Sequence, residues 1–162
     1  EGRGTSGHWE ADFMLFARYG QGLLVLHERQ TRFSIVLHPL DRKAVLTART
    51  IARQLGKLPQ ALRKTISFDN GTEFAEHHRL HNALGVQTFF CDPHSPWQKG
   101  GVENSIGRLR RSLPRKTDLK AITAAALERL AQRLNDTPRK CLDFNTPAEA
   151  FSKLKSIVAL QT

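Results

Sequence analysis

Three short apolar segments, each closed by turn residues, follow one another between residues 8 and 39 of this 162-residue chain. They are predicted as strands at 8–16, 23–28 and 31–39, because apolar and aromatic runs bounded by Gly or Pro favour the strands of a meander. From residue 42 onward the pattern changes to an alternation of helix and strand. Successive strands followed by that alternation restrict the fold to a mixed sheet covered by helices.

The later elements follow from periodicity and capping. Thr146 before Pro147, with Glu149 three residues after the threonine, forms a capping box that predicts a last helix. Further helices are predicted at 42–55, 73–84, 103–113 and 123–135, and further strands at 65–68 and 85–90. The fold class is therefore α/β, a mixed five-stranded sheet flanked by helices, in a single domain that covers residues 1–162. The sequence contains no GxGxxG or Walker motif, which argues against a nucleotide-binding fold.

Composition points to a polyanionic partner. The formal net charge is +10, and excess Lys and Arg favour binding to phosphates. Cys91 and Cys141 lie in different sequence contexts without zinc-ligand spacing, so reduced thiols in a cytoplasmic protein are expected. No apolar run approaches 18 residues, so no membrane partner is expected. The chain begins with Glu1 in a Gly-rich stretch, which suggests a fragment of a longer protein.

Two aspartates occupy positions where a carboxylate is unusual. Asp12 lies in the middle of the first predicted strand, where an acid is disfavoured unless it is paired or binds a metal. Its alternative is a solvent-facing residue of an edge strand, and Glu10 on the same strand face is a weaker candidate of the same kind. Asp69 directly follows the strand at 65–68, at the end where α/β sheets usually place ligands. Asp69-Asn70-Gly71 could equally be an ordinary turn.

A third carboxylate, Glu103, begins a predicted basic helix. Glu103, Gly107 and Arg110 fall on one line of that helix, and the missing side chain at Gly107 leaves room for a phosphate. An ordinary solvated face is the alternative. Residues 99–116 contain Glu103 as their one acid, and nucleic-acid contact explains that imbalance better. The basic residues of this segment are Lys99, Arg108, Arg110, Arg111, Arg115 and Lys116.

The three acids in a basic chain predict a site for divalent metal ions. Mg²⁺ is bound by a few carboxylate oxygens together with waters and substrate phosphates. Two such ions can stabilise the attacking and leaving oxygens of a phosphodiester, without a protein general base. The sequence thus predicts a polynucleotidyl transferase.

A resemblance to bacterial insertion-sequence transposases of the IS-thirty type is carried by GHWEADF, ERQTRFSIVL, TISFDNGTEFAEH, FFCDPHSPWQKGGVENSIGRLRR and LNDTPRKCLDFNTPAEAF. The catalytic core of that family is similar to retroviral integrase. The resemblance implies a ribonuclease H-like fold and a catalytic DDE triad of Asp12, Asp69 and Glu103. It also implies two Mg²⁺ or Mn²⁺ ions per active site, with Asp12 contacting both, Asp69 one and Glu103 the other.

The same resemblance implies DNA cleavage and strand transfer in transposition. Its substrates would be double-stranded DNA, both transposon ends and target, bound by a homodimer or higher homo-oligomer in the bacterial cytoplasm. We expect these 162 residues not to include the helix-turn-helix region that precedes the core in this family, and residues 1–7 are expected to be disordered. Arg110 matches the family's basic position near the DNA end. The residues expected to contact DNA are Lys99, Asn104, Arg108, Arg110 and Arg111.

Two other functions stay open at this stage. A ribonuclease H-like or resolvase-type nuclease would cut DNA without joining it, and a DNA-binding module could have lost catalysis. A mobile loop is expected at 92–101, because two prolines and two glycines lie there immediately before Glu103.

Overall fold

A five-stranded sheet runs through the molecule. The computed structural model describes residues 4–92 and 100–161. The strands are β1 (His8–Leu15), β2 (Gly22–Glu28), β3 (Ser34–Leu37), β4 (Thr65–Phe68) and β5 (Gln87–Phe90). Their order is β3-β2-β1-β4-β5; the pairs β1/β2 and β2/β3 are antiparallel, and the pairs β1/β4 and β4/β5 are parallel. The predicted mixed five-stranded sheet is confirmed.

Five α-helices flank this sheet in the described part of the chain. They are α1 (Ala44–Leu55), α2 (His78–Leu84), α3 (Gly100–Leu109), α4 (Ala124–Asn135) and α5 (Pro147–Leu160). The last two begin as predicted. The Thr123 hydroxyl accepts a hydrogen bond from Ala126 N, and the Thr146 hydroxyl accepts one from Glu149 N, so each threonine satisfies a free N–H of its helix.

The two faces of the sheet carry separate apolar cores. Successive side chains of a strand point to opposite faces. Trp9 and Phe13 of β1 accordingly join one core with residues of α1, α2 and α5, while Met14 joins a second core with residues of α3 and α4. We refer to these as the α1 face and the α3 face. β1 is therefore covered on both sides.

The predicted helix at 73–84 is wrong in its first half. The chain forms a 3₁₀ turn at Thr72–Phe74, and α2 begins only at His78. The reason is the burial of Phe74, whose ring centroid lies 4.6 Å from that of Phe68 and 5.9 Å from that of Phe13. Backbone bonds to the third preceding residue, such as His77 N to Phe74 O, hold this tighter path.

The helix that carries Glu103 is displaced from its predicted bounds of 103–113. It begins at Gly100 and ends at Leu109, and then tightens, with Ser112 N and Leu113 N both bonded to Leu109 O. Gly100 and Gly101, predicted to belong to a loop, thus form the first turn. A Cβ at Gly101 would lie 2.4 Å from Glu10 Oε2, so the close approach requires glycine. The rest of the predicted loop, 93–99, lies outside the described residues.

The buried carboxylate of Glu28 holds the start of β1 against the β2–β3 turn. It accepts hydrogen bonds from Gly7 N, from Thr31 N and from the Thr31 hydroxyl at 3.0, 2.7 and 2.6 Å. Residues 1–3 lie outside the described part of the chain. In that part Cys141 is a free thiol, and no helix is long and apolar enough to cross a membrane.

Candidate active site

Asp12 lies on β1, and Asp69 directly follows β4, the parallel strand that neighbours β1. The β1–β4 ladder pairs Trp9 with Ile66 and Glu10 with Ser67. The ladder ends there, and continuing its register by two residues along each strand relates Asp12 to Asp69. Because paired strands run about 4.8 Å apart, the two aspartates belong to one small region of the sheet.

Local backbone contacts orient both aspartates. Asp12 is half-buried, and its Oδ1 accepts a hydrogen bond from Phe13 N at 2.8 Å. Asp69 is also half-buried, and its Oδ1 accepts one from Gly71 N at 2.9 Å, closing the turn that follows β4. The predicted turn and the predicted site residue therefore coincide at Asp69. Each carboxylate has one oxygen fixed by the backbone.

Glu103 is presented from the first turn of α3 and is exposed. Within residues 4–92 and 100–161, no three His, Cys, Asp or Glu side chains lie close enough together to hold a metal ion. Asp12, Asp69 and Glu103 therefore do not form a ready-made cluster of three ligands there. The two aspartates are related through the register of β1 and β4, whereas the place of Glu103 depends on the position of α3.

Glu10 fixes that position, a role that local sequence patterns did not reveal. It is 2% exposed, and its Oε2 accepts a hydrogen bond from Val102 N at 3.1 Å. The carboxylate also faces the N-terminal end of α3, where the helix dipole favours a negative charge. Glu10 lies two residues before Asp12 and contacts the residue before Glu103. It thereby connects the strand of one predicted ligand to the helix of another.

A buried polar cluster continues this connection. His27 Nδ1 lies 3.1 Å from both the Ser34 and Ser105 hydroxyls, which lie 3.0 Å from each other. The Asn135 side chain bonds both Ser34 N and Ser34 O, at 2.9 and 2.8 Å. Hydrogen bonds thus join β2, β3, α3 and α4 beneath the helix that carries Glu103. We call these four residues with Glu10 the polar cluster.

The residues expected to contact DNA fall into different environments. Asn104 and Arg111 are exposed on or just after α3, Arg108 is half-buried, and Lys99 lies outside the described residues. Arg110 is more constrained than an arginine on a solvated face. Its guanidinium donates to Leu15 O and lies 4.9 Å from the centroid of the Phe16 ring. Burial, followed by the nearby charge of Arg115, lowers the pKa of Arg110 below its ordinary value.

Comparison with known proteins agrees with this architecture. The sequence matches the integrase core domain family over residues 3–96, and the chain belongs to that family. It is 38% identical over 148 residues to the transposase for insertion sequence element IS1086 of Cupriavidus metallidurans, covering 91% of this chain and 44% of that protein. It is 35% identical over 153 residues to the IS30A transposase InsI of Escherichia coli, covering 94% of this chain and 40% of that protein. The chain spans less than half the length of these relatives.

A solved structure shows the same fold. The catalytic core domain of BIV integrase superposes with a TM-score of 0.71 at 20% sequence identity, covering 95% of this chain and 99% of that one. The ribonuclease H-like fold is therefore confirmed. The chain is thus a member of the integrase core domain family, and its relatives include bacterial insertion-sequence transposases.

Proposed function

We propose that this chain cleaves double-stranded DNA at transposon ends and joins the freed ends to target DNA. The observation that carries the proposal is the shared register of Asp12 and Asp69 beside the helix of Glu103, in an integrase core fold. Cleavage and joining would use one active site, because both are in-line displacements at phosphorus. The nucleophile is water in the first and a DNA 3′-hydroxyl in the second.

The proposed catalytic residues suit divalent cations in their chemistry. Asp12, Asp69 and Glu103 offer hard oxygen ligands, and the two aspartates each have one oxygen fixed by a backbone N–H. We propose that these three side chains hold two Mg²⁺ or Mn²⁺ ions, with Asp12 contacting both. When bound, the ions would activate the nucleophile and stabilise the charge on the leaving oxygen.

The basic residues around α3 supply the substrate-binding part of the proposal. Asn104, Arg108 and Arg111 lie on or directly after the helix that carries Glu103, so a DNA backbone bound to them passes the carboxylates. Arg110 is held at the end of β1 by Leu15 O and Phe16, close to the strand of Asp12. Preorganised cations of this kind position a phosphate without further rearrangement.

Asp69→Asn tests the proposed mechanism. The two side chains are nearly isosteric and Asn keeps an oxygen for Gly71 N, but the charge that holds a metal is lost. We expect strand cleavage and strand transfer in Mg²⁺ to fall below a tenth of the wild-type level, with an unchanged melting temperature. The matched control is Asp143→Asn, at an exposed position of φ 52° that tolerates Asn.

The assay products separate the possible outcomes. Joined products in the wild type, absent from Asp69→Asn and retained in Asp143→Asn, support a transposase core. Cleavage without joining indicates a nuclease of the same fold. Strand transfer by Asp69→Asn above a tenth of the wild-type level excludes Asp69 from the catalytic set.

The setting of this activity is also a proposal. The two transposase relatives come from bacteria, which favours action on DNA in the bacterial cytoplasm. We propose a homodimer or higher homo-oligomer as the active assembly, because two transposon ends must be joined to one target.

A further inference from the structure

A polar pocket of about 310 Å³ lies beside α3, between this helix and the turn that follows α4. Its walls include the first turn of α3, the Asn104 and Arg108 side chains, and the segment 138–141. Four cationic side chains line it, and no Asp or Glu among the described residues does so. The four are Arg32, Arg108, Arg139 and Lys140.

Such a concentration of like charge is unfavourable in an empty pocket. Burial lowers the pKa of Arg139 below its ordinary value, and the charges of Arg108 and Arg32 lower it further. Like charges in one pocket repel each other and disfavour the charged form of each group. A bound anion would instead attract these cations and favour their charged forms.

Two arginines that line the pocket also have a buried donor without a hydrogen-bond partner among the described residues. Arg139 is 8% exposed and donates from Nη2 to Leu134 O at 3.0 Å, which anchors it at the end of α4. Its Nε is buried and has no hydrogen-bond partner in the described part of the chain, and the same holds for Arg108 Nε. Buried donors are normally satisfied, so these two call for an acceptor.

The backbone of Arg32 gives an independent indication. Arg32 has a φ of 64°, in the left-handed region that glycine adopts without strain. Glycine at this position would therefore form the turn between β2 and β3 with less backbone strain. An arginine kept in a strained conformation, with its side chain in a basic pocket, indicates a role for the guanidinium.

We propose that this pocket binds one phosphodiester group of the DNA that passes the candidate active site. The assignment rests on the proposed function, and it adds Arg32, Arg139 and Lys140 to the DNA-binding surface. DNA is favoured over a free phosphate because Asn104 and Arg108 belong to the helix of Glu103. Neighbouring helix positions point about 100° apart, so Glu103 and Asn104 face adjacent directions. A DNA strand at Glu103 therefore lies within one helix width of the pocket.

Arg32→Gly is the sharpest test, since it removes the charge and relieves the backbone at once. Binding of a duplex oligonucleotide would be measured by fluorescence anisotropy over a range of salt concentrations, in EDTA so that metal plays no part. One phosphate contact contributes about 0.9 to the slope of log K against log salt. We expect Arg32→Gly and Lys140→Ala each to flatten the slope by up to about 1. The double variant should also flatten it by no more than about 1, because both residues contact the same phosphate. Arg32→Gly should keep or raise the melting temperature.

Arg49→Ala is the matched control, because Arg49 is exposed on α1 at the other face of the sheet. Its slope should equal that of the wild type. The DNA assignment is overturned if both pocket variants keep the wild-type slope. It is also overturned if they lose protection by inorganic phosphate in a thermal-shift assay while their DNA slope is unchanged, which would indicate a free-anion site.

The outcome is separable from that of the proposed function. DNA binding in EDTA does not depend on the metal ligands, so Asp69→Asn should retain the wild-type slope. A flattened slope in Arg32→Gly, together with strand transfer by Asp69→Asn, would support the pocket and reject the catalytic assignment. An unchanged slope in Arg32→Gly, with no strand transfer by Asp69→Asn, would reject the pocket and support the catalytic assignment.

Discussion

The two faces of the sheet are packed by different means. The α1 face is a continuous apolar core in which aromatic rings contact one another. Phe33 and Phe151 stack with ring centroids 4.4 Å apart, and Trp9 meets the edge of Phe151 at 6.0 Å. Phe68 is fully buried against Phe74 on the same face. This packing is strong and nearly non-directional.

The α3 face also has an apolar core, but the polar cluster lies within it. Its hydrogen bonds run between elements far apart in the chain, as from Asn135 to the backbone of Ser34 and from Val102 N to Glu10. Hydrogen bonds constrain direction and distance in a way that apolar contacts do not. The comparison suggests that the α1 face stabilises the sheet, whereas the α3 face determines where the Glu103 helix lies.

Phe68→Ala should have the largest effect on stability. Removing a fully buried aromatic ring leaves a cavity and costs about 3–5 kcal/mol. The measurement is the free energy of unfolding from urea denaturation. Phe144→Ala is the control, since Phe144 is 71% exposed and should change stability by less than about 0.5 kcal/mol. A loss below about 1 kcal/mol for Phe68→Ala would show that the α1 face is not the dominant source of stability.

Glu10→Ala should cost less but act more locally. It leaves Val102 N without its acceptor, and an unsatisfied buried donor costs about 1–3 kcal/mol. Glu10→Gln keeps an acceptor oxygen and should retain most of the stability. Hydrogen exchange should speed up at residues 102–105 in Glu10→Ala while the β-strands remain protected. Uniform loss of protection across the sheet would mean that Glu10 is only a general stabilising residue.

The sequence predicts the strands well because their signals are local. An apolar run ending in Asp69-Asn70-Gly71 contains both the strand and its turn, and the capping threonines are read in the same way. Glu10 is different, since its meaning depends on Val102, 92 residues away. Arg32 and Arg139 meet only after β2, β3 and α4 have packed. Long-range contacts of this kind leave no periodic pattern in the chain.

The predicted start of α3 at residue 103 is wrong for a related reason, since the helix begins at Gly100. Gly100 and Gly101 have a low helix propensity and are typical of loops. Glycine residues of this kind destabilise an isolated helix. In the folded chain, the hydrogen bond from Val102 N to the buried Glu10 carboxylate stabilises this first turn, and the space beside Gly101 admits no larger residue without a shift. Tertiary packing therefore determines where this helix begins.

Gly101→Ala measures how closely α3 approaches the sheet. The new Cβ would lie 2.4 Å from Glu10 Oε2 and 2.6 Å from the His27 ring, so either the helix or these two buried side chains must shift. Overpacking of this kind costs about 1–3 kcal/mol, although alanine favours helices. We also expect strand transfer to decline, because Glu103 moves with the helix. Unchanged stability would indicate that the N-terminal end of α3 adjusts freely.

Gly107→Ala, on the same helix, should have the smallest effect and the opposite sign. No atom lies within 4 Å of a Cβ built at Gly107, and the position is exposed. Replacing glycine by alanine inside a helix should therefore stabilise the fold by about 0.5–1 kcal/mol. Gly107 also lies on the line of Glu103 and Arg110, where a methyl group would face bound DNA. A gain in stability together with weaker DNA binding would indicate that the glycine makes room for a phosphate. A gain in stability with unchanged binding would place the DNA backbone away from this line of α3.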